Sequence, residues 1–164
     1  MEYGAIETSI YIDAAPNVVY GVVSSPEHIT QWYVDEAAYD VMPGSSGHLS
    51  FGDQERWFSV PITVVEAVRG TRFSFRWIAP PAPGLLPVGA TLTSDNSLLV
   101  TFEFTPRGDG TLLTVTETGM RELGWEAAAL EHYYDDHSDG WAGLLKRLES
   151  YAESYAGTLA GKRG

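Results

Sequence analysis

The spacing of hydrophobic residues changes twice along this 164-residue chain, and each change predicts a different kind of element. A β-rich apolar run near the start predicts a strand over roughly residues 4–12. Pro16 suits the first turn of a helix, where its missing N–H costs nothing, and Ser25 followed by Pro26 signals a second short helix. The apolar residues of that second helix are Ile29, Trp32 and Tyr33.

Roughly the middle half of the chain has apolar and polar residues in alternation, which is typical of strands with one buried face. Phe73, Phe75 and Trp77 share one such face, with polar side chains on the other. Turn signals at 44–47 and 107–110 separate the runs. Because neighbouring runs are joined by hairpins, we predict an antiparallel sheet.

The last third of the chain has apolar residues at three- and four-residue steps, which predicts one long amphipathic helix ending near Tyr155. Gly157 is its predicted C-cap, so we expect one domain over 1–157 and a flexible tail over 158–164. We interpret Gly140, which lacks a Cβ, as a packing position that lets this helix approach the sheet.

The order of these elements predicts an α+β fold of the helix-grip kind. In it, a curved antiparallel sheet of six or seven strands surrounds the long C-terminal helix, and two short helices follow the first strand. A highly curved sheet has a concave face to cover, and only the last helix is long enough. The Pro-rich connection at 79–97 is long for a hairpin and is interpreted either as a lid or as a passive insertion.

Composition narrows the classes of function. The net charge of −12 disfavours nucleic acid as a partner, because a negative surface repels phosphates. The chain has no cysteine, which excludes disulfides and thiol chemistry, and it has no apolar run long enough to cross a membrane. With no signal-peptide pattern at the start, we expect a cytoplasmic protein. We expect no cofactor, and no metal site either, since His132 and Asp136 lack a third ligand at a fixed spacing.

Three local patterns carry a resemblance to a known family. They are the proline-to-tryptophan segment 26–33, the strand 110–119, and His137-x-x-Gly140-Trp141 followed by Leu144 and Leu148. In this order they resemble the SRPBCC (START-like) helix-grip superfamily, and within it the branch named after the activator of the heat-shock protein 90 ATPase. The likeness covers roughly residues 5–155 and implies the same fold.

The resemblance implies several functions rather than one, because the superfamily includes lipid carriers, hormone receptors and polyketide cyclases. This chain also departs from the branch pattern at two places that bear on a cavity. One is the 79–97 connection, and the other is Glu117, where relatives often have histidine. Ligand identity therefore does not transfer from the family to this chain.

Aromatic residues that face the space between sheet and helix are the main candidates for a binding site, since rigid aromatic walls are typical of small-molecule pockets. They could equally fill the core. The strand phase near Trp57 is open, because Pro61 and the polar stretch before Trp57 could include a bulge. The predicted ligand-binding residues are Trp32, Tyr33, Phe51, Trp57, Phe75, Trp77, Phe102, Glu117, His137, Trp141, Leu144 and Leu145.

Two ionisable residues are the candidates for catalysis. His137 lies four residues before Trp141 and therefore shares its helix face, aimed at the sheet. Glu117 shares its strand face with Leu113 and Val115, so its carboxylate is expected at the cavity end. Arg56 or Arg76 could be its partner, but Arg76 alternates away from Phe75 and Trp77. Each residue could instead have a purely structural role.

Three hypotheses of function follow. The first is a non-catalytic or weakly catalytic binder of an apolar or aromatic small molecule. The second is a cyclase- or aromatase-like enzyme acting on a polyketide-type substrate, which needs His137 and Glu117 to meet inside the cavity. The third is an interaction protein such as a chaperone regulator, which the family name implies. A homodimer is left open.

Overall fold

The computed structural model describes residues 5–52, 58–78, 91–93, 96–119 and 127–161. Two short helices follow the first strand, six further strands form a meander, and a long helix ends the described chain. The elements are β1 (Ala5–Ile12), α1 (Pro16–Ser24), α2 (Pro26–Ile29), β2 (Glu36–Ala38), β3 (Ser46–Phe51), β4 (Phe58–Val68), β5 (Arg72–Trp77), β6 (Leu98–Arg107), β7 (Gly110–Thr118) and α3 (Ala127–Gly161).

The strands form one curved, unclosed sheet in the order β1-β7-β6-β5-β4-β3-β2, with every neighbouring pair antiparallel. Strands β2 to β7 lie side by side in the order of the sequence, and β1 pairs with β7 along its full length. The turn between β6 and β7 has Gly108 at a φ of 59°, a left-handed conformation that glycine adopts without strain. The predicted helix-grip fold is confirmed.

The core lies between the inner face of the sheet and α3. Inward residues alternate along the central strands, so Phe73, Phe75 and Phe102 are at most 1% exposed. Helix α3 buries a stripe at helical spacing against them, formed by Trp141, Leu145, Leu148 and Ala152. This stripe is the apolar face that the sequence periodicity predicts.

Helices α1 and α2 begin at Pro16 and Pro26 as expected, but α2 is shorter than expected and ends at Ile29. Trp32 and Tyr33 therefore lie in the turn after it. Trp32 is fixed there because its indole N–H donates to the Val22 carbonyl at 3.0 Å. Ser25 is the N-cap of α2 by position, although its side chain makes no capping hydrogen bond.

Two other expectations are wrong, those for Gly157 and Gly140. Helix α3 continues through Gly157 to Gly161, so Gly157 is not its C-cap. In β4, Pro61 pairs regularly opposite His48 and the register shift lies between Val64 and Glu66, whereas the strand phase near Trp57 stays open because residues 53–57 lie outside the described residues. Gly140 is exposed, and a Cβ built there would meet nothing within 4 Å, so Gly140 is not a close-packing position.

The 44–47 turn is shorter than predicted, because Ser46 and Gly47 already belong to β3. Gly47 is required there for a different reason. A Cβ at this position would collide with the carbonyl of Ala38 on the neighbouring β2. Trp57, Arg56 and most of the 79–97 connection lie outside the described residues.

Candidate functional site

The site is built around Glu117, near the end of β7. Glu117 follows the strand alternation of Leu113 and Val115, so its side chain points inward and is 0% exposed. A carboxylate in such a position is costly unless hydrogen-bond donors surround it. The surrounding side chains supply them.

Three side chains donate hydrogen bonds to the Glu117 carboxylate. Trp77 Nε1 on β5 and the Tyr133 hydroxyl on α3 each lie 3.0 Å from Oε2. Trp141 Nε1 lies 3.3 Å from Oε1. An indole N–H can only donate, and an ionised carboxylate can only accept, so this arrangement fits the carboxylate form of Glu117.

His137 is the fourth partner of Glu117. Its Nδ1 lies 3.4 Å from Glu117 Oε1, and its Nε2 lies 3.9 Å from Asp136 Oδ2. The Tyr133 ring stacks on the imidazole, with 3.7 Å between ring centroids and 17° between planes. Tyr133, His137 and Trp141 are spaced four residues apart on one face of α3, and for this reason they reach the same carboxylate.

Tyr33 has a hydroxyl that is buried and has no hydrogen-bond partner among the described residues. Burial raises the pKa of Tyr33 well above its usual value, and the negative charge of Glu117 raises it further. The same two causes, in the same order, raise the pKa of Tyr133. Both phenols are therefore neutral near pH 7.

A cavity of about 240 Å³ lies beside this cluster, between the edge of α3 and the sheet. Most of its wall is aromatic or aliphatic, and its two ionisable side chains, Asp136 and His137, come from α3. The described residues that line it are Tyr33, Phe51, Trp77, Asp136, His137, Gly140, Trp141 and Leu144.

The rings of the wall pack on one another around Tyr33. The Tyr33 centroid lies 5.9 Å from that of Phe51, 6.0 Å from that of Trp77 and 5.4 Å from that of Trp141. Aromatic pairs at such distances contribute about 0.5–1.5 kcal/mol each beyond the burial of their surfaces. The aromatic wall is therefore stabilised in part by contacts among its own members.

Comparison with known families identifies the family of this chain. The model of the family described as "Activator of Hsp90 ATPase homolog 1-like protein" matches residues 13–153. The chain belongs to this family. No curated protein matches the chain at a significant level.

Solved structures with this family's fold match most of the chain at low sequence identity. MLL2253 from Mesorhizobium loti is 16% identical with a TM-score of 0.69, and the match covers 92% of this chain and 97% of that one. The Aha1 dimer from Colwellia psychrerythraea is 15% identical with a TM-score of 0.67, covering 91% and 96%. DynU16, a protein in the dynemicin biosynthetic locus, is 22% identical with a TM-score of 0.68, covering 93% of this chain but 48% of that one. These likenesses establish the fold.

The residues predicted for the site fall into three groups. Six line the cavity: Tyr33, Phe51, Trp77, His137, Trp141 and Leu144. Glu117 lies behind the wall, where it accepts hydrogen bonds from Trp77 and Trp141 and contacts His137. Four pack in the core and do not line this cavity: Trp32, Phe75, Phe102 and Leu145. Trp57 lies outside the described residues, and ligand binding by all of these residues stays a prediction.

Sequence reasoning missed three members of the site. Tyr133 and Asp136 lie on α3 within about one turn of His137, and Gly140 lines the cavity next to Trp141. The four-residue spacing of Tyr133 from His137 was the available signal. Arg76 is not the partner of Glu117, because it lies on the opposite face of β5 and His137 takes that place.

Among the described residues, no three histidine, cysteine, aspartate or glutamate side chains come together as a metal site. Within that same part of the chain, no helix is long and apolar enough to cross a membrane. Hydrogen bonds and aromatic contacts are the interactions that the side chains lining the cavity can make.

Proposed function

We propose that this family member binds an apolar or aromatic small molecule in the cavity between the sheet and α3. The observation that carries the proposal is a cavity of about 240 Å³ walled by Tyr33, Phe51, Trp77 and Trp141. Concave apolar sites with a few polar groups are the usual form of small-molecule sites.

The size of the cavity limits the ligand. A dry apolar cavity of about 150 Å³ binds benzene, whereas pockets for drug-sized ligands start at about 300 Å³. The volume of about 240 Å³ lies between these two values. We therefore expect a ligand body of one or two rings, or an aliphatic group of similar size.

His137 and Asp136 supply the polar contacts in this proposal, because they are the ionisable side chains of the lining. Tyr33 contributes its ring, since its hydroxyl is buried. Glu117 contributes indirectly, since its carboxylate fixes Trp77 and Trp141 in the wall.

Thermal-shift and calorimetric binding measurements with a panel of one-ring and two-ring compounds test the proposal. The cavity-blocking variant is Gly140→Leu, because Gly140 lines the cavity and a larger side chain there has free space to enter. Gly143→Leu is the matched control, since Gly143 is an exposed glycine of the same helix outside the cavity lining. Binding that survives in Gly143→Leu and is lost in Gly140→Leu supports the site. No stabilisation of the unmodified protein by any compound contradicts the proposal.

A second candidate function is catalysis by proton transfer on a bound polyketide-type ring, as in a cyclase or aromatase. It is favoured by the 3.4 Å contact between His137 and Glu117, which holds the imidazole in the cavity wall as a candidate base. The likeness to DynU16 is compatible with it. Turnover of poly-β-ketone analogues that is lost in His137→Gln but kept in His132→Gln, an exposed histidine of the same helix, would support it.

An interaction role is the third candidate, and the family description is the observation that favours it. A pull-down with purified Hsp90-type ATPase that shows no binding and no change in ATPase rate contradicts it. The likeness to the Colwellia dimer supports a homodimer, which sedimentation at several concentrations tests. Location in the cytoplasm also stays a prediction.

A further inference from the structure

The charge at the cavity decides which ligands it favours. Asp136 lines the mouth with a side chain that is 68% exposed, and Glu117 lies directly behind the wall. His137 is the one basic group among the lining residues, and no lysine or arginine joins it in the described part of the lining. Two carboxyl groups, those of Glu117 and Asp136, therefore stand against a single imidazole, so acidic groups outnumber basic ones at the site.

The net charge of the whole chain has the same sign as the acidic groups at the cavity. The chain carries a net charge of −12, so its field repels anions and attracts cations. On α3, the basic residues Lys146 and Arg147 line a different groove together with Tyr151. Arg147 lies ten residues beyond His137, which is about 15 Å along the helix axis and more than a Debye length of about 8 Å. These two cations therefore do little to offset the charge at the cavity.

The aromatic wall has the composition that attracts a positive charge. Tyr33, Phe51, Trp77 and Trp141 line the cavity, and the faces of tryptophan and tyrosine rings are the better partners in cation–π contacts. The indole N–H groups of Trp77 and Trp141 both donate to the Glu117 carboxylate. Such hydrogen bonds polarise the donors and raise the electron density of the rings.

We infer that the cavity takes a small organic cation, an ammonium or quaternary ammonium group carried on an apolar or aromatic body. The inference rests on the proposed binding function and specifies its ligand class. The positive charge lies against the aromatic wall, with Asp136 at the mouth and Glu117 behind the wall. The same charges disfavour carboxylate ligands of the same size.

Matched ligands that differ only in charge test this inference. Choline is compared with 3,3-dimethyl-1-butanol, in which carbon replaces the charged nitrogen, and phenethylamine is compared with phenylacetate. Dissociation constants are measured by calorimetry at physiological salt, and the indole N–H resonances of Trp77 and Trp141 report binding at the site itself. A desolvated cation–π contact of about 2 kcal/mol corresponds to a preference of roughly thirtyfold, so we expect each cation to bind at least about tenfold more tightly than its partner.

Asp136→Asn is expected to weaken binding of both cations several-fold and to leave binding of 3,3-dimethyl-1-butanol unchanged. Asp135→Asn is the control, because Asp135 is an exposed neighbour that does not line the cavity. If the neutral or anionic partner binds as tightly as the cation, the inference fails while the proposed binding function stands. If the cations fail to bind but neutral aromatic compounds do, the same conclusion follows. If no compound binds, both fail.

Discussion

The indole nitrogen of Trp77 lies 3.0 Å from a carboxylate oxygen of Glu117, although forty residues separate the two in sequence. The contact crosses from β5 to β7, over the intervening β6. Trp77 lines the cavity and Glu117 does not, so the carboxylate acts on the cavity through the side chains that it holds. The same carboxylate accepts hydrogen bonds from Tyr133 and Trp141 on α3. It therefore joins the sheet to the helix.

Removing this carboxylate is expected to be strongly destabilising. In Glu117→Ala, the indole and phenol donors lose their acceptor inside the core, and a buried donor without an acceptor costs about 1–3 kcal/mol. Because the donors share one site and can rearrange, we expect a total loss of roughly 3–5 kcal/mol in the free energy of unfolding, as for a broken buried ion pair. Urea unfolding followed by tryptophan fluorescence measures it.

Glu7→Gln is the control for that experiment, because Glu7 lies exposed on β1 and its substitution should change stability by less than about 0.5 kcal/mol. A Glu117→Ala protein as stable as the control variant would mean that the donors find other acceptors. The network would then have little importance for the fold.

The two buried phenols of the site are expected to respond in opposite ways to loss of the hydroxyl. Tyr133→Phe removes a hydrogen bond to a charged acceptor and should cost about 1.5–3 kcal/mol. Tyr33→Phe removes a hydroxyl without a partner among the described residues, so stability should stay the same or rise by about 1 kcal/mol. Each variant is the control for the other in chemical denaturation. Equal losses in both would show that Tyr33 has a partner that the static structure lacks.

Sequence alone could predict the fold because its determinants are local and periodic. Pro16 and Pro26 mark helix starts, the alternation of Phe73, Phe75 and Trp77 sets a strand face, and the stripe containing Trp141 sets the helix face. The end of α3 was misplaced because Gly157 is tolerated inside a helix and signals an end only by frequency.

The site was harder to predict because it depends on distances between elements. Alternation places Glu117 inside and turns Arg76 to the opposite face of β5, but the contact of Glu117 with His137 depends on how α3 crosses the sheet. Phe75 and Phe102 share the inner face with Trp77, yet only Trp77 reaches the cavity. Which inward residues fill the core and which border free space is a property of three-dimensional packing, and a periodic pattern does not contain it.

Alkaline pH should destabilise the fold through its buried tyrosines. Burial raises the pKa of Tyr33 and Tyr133 above the ordinary value of 10.0, so both stay protonated in the native state. In the unfolded chain they lose their protons near pH 10, so the unfolded state binds fewer protons above that pH and stability falls as the pH rises. The contribution of the two buried phenols to folding stability is fully present below pH 10. Above pH 10 it declines by about 1.4 kcal/mol per pH unit for each phenol.

Urea unfolding of the unmodified protein and of Tyr33→Phe at pH 8 and at two values above pH 10 measures this effect. Above pH 10, the free energy of unfolding should fall with pH about 1.4 kcal/mol per pH unit less steeply in Tyr33→Phe than in the unmodified protein. Below pH 9, the two proteins should show the same slope. Identical slopes above pH 10 would mean that Tyr33 ionises in the native state as it does in the unfolded chain.

The glycines should divide into those that geometry requires and those that it does not. Gly140 and Gly143 lie exposed inside α3, and a Cβ at either position would meet nothing within 4 Å. Replacing each with alanine should raise the free energy of unfolding by about 0.5–1 kcal/mol, because alanine loses less backbone entropy in a helix. Gly47→Ala should have the opposite effect and cost about 1–3 kcal/mol, because its Cβ collides with the Ala38 carbonyl on β2. Thermal unfolding of the three variants shows whether each melting temperature rises or falls. A melting temperature that rises in Gly47→Ala would mean that β2 can move away from β3 without a loss of stability.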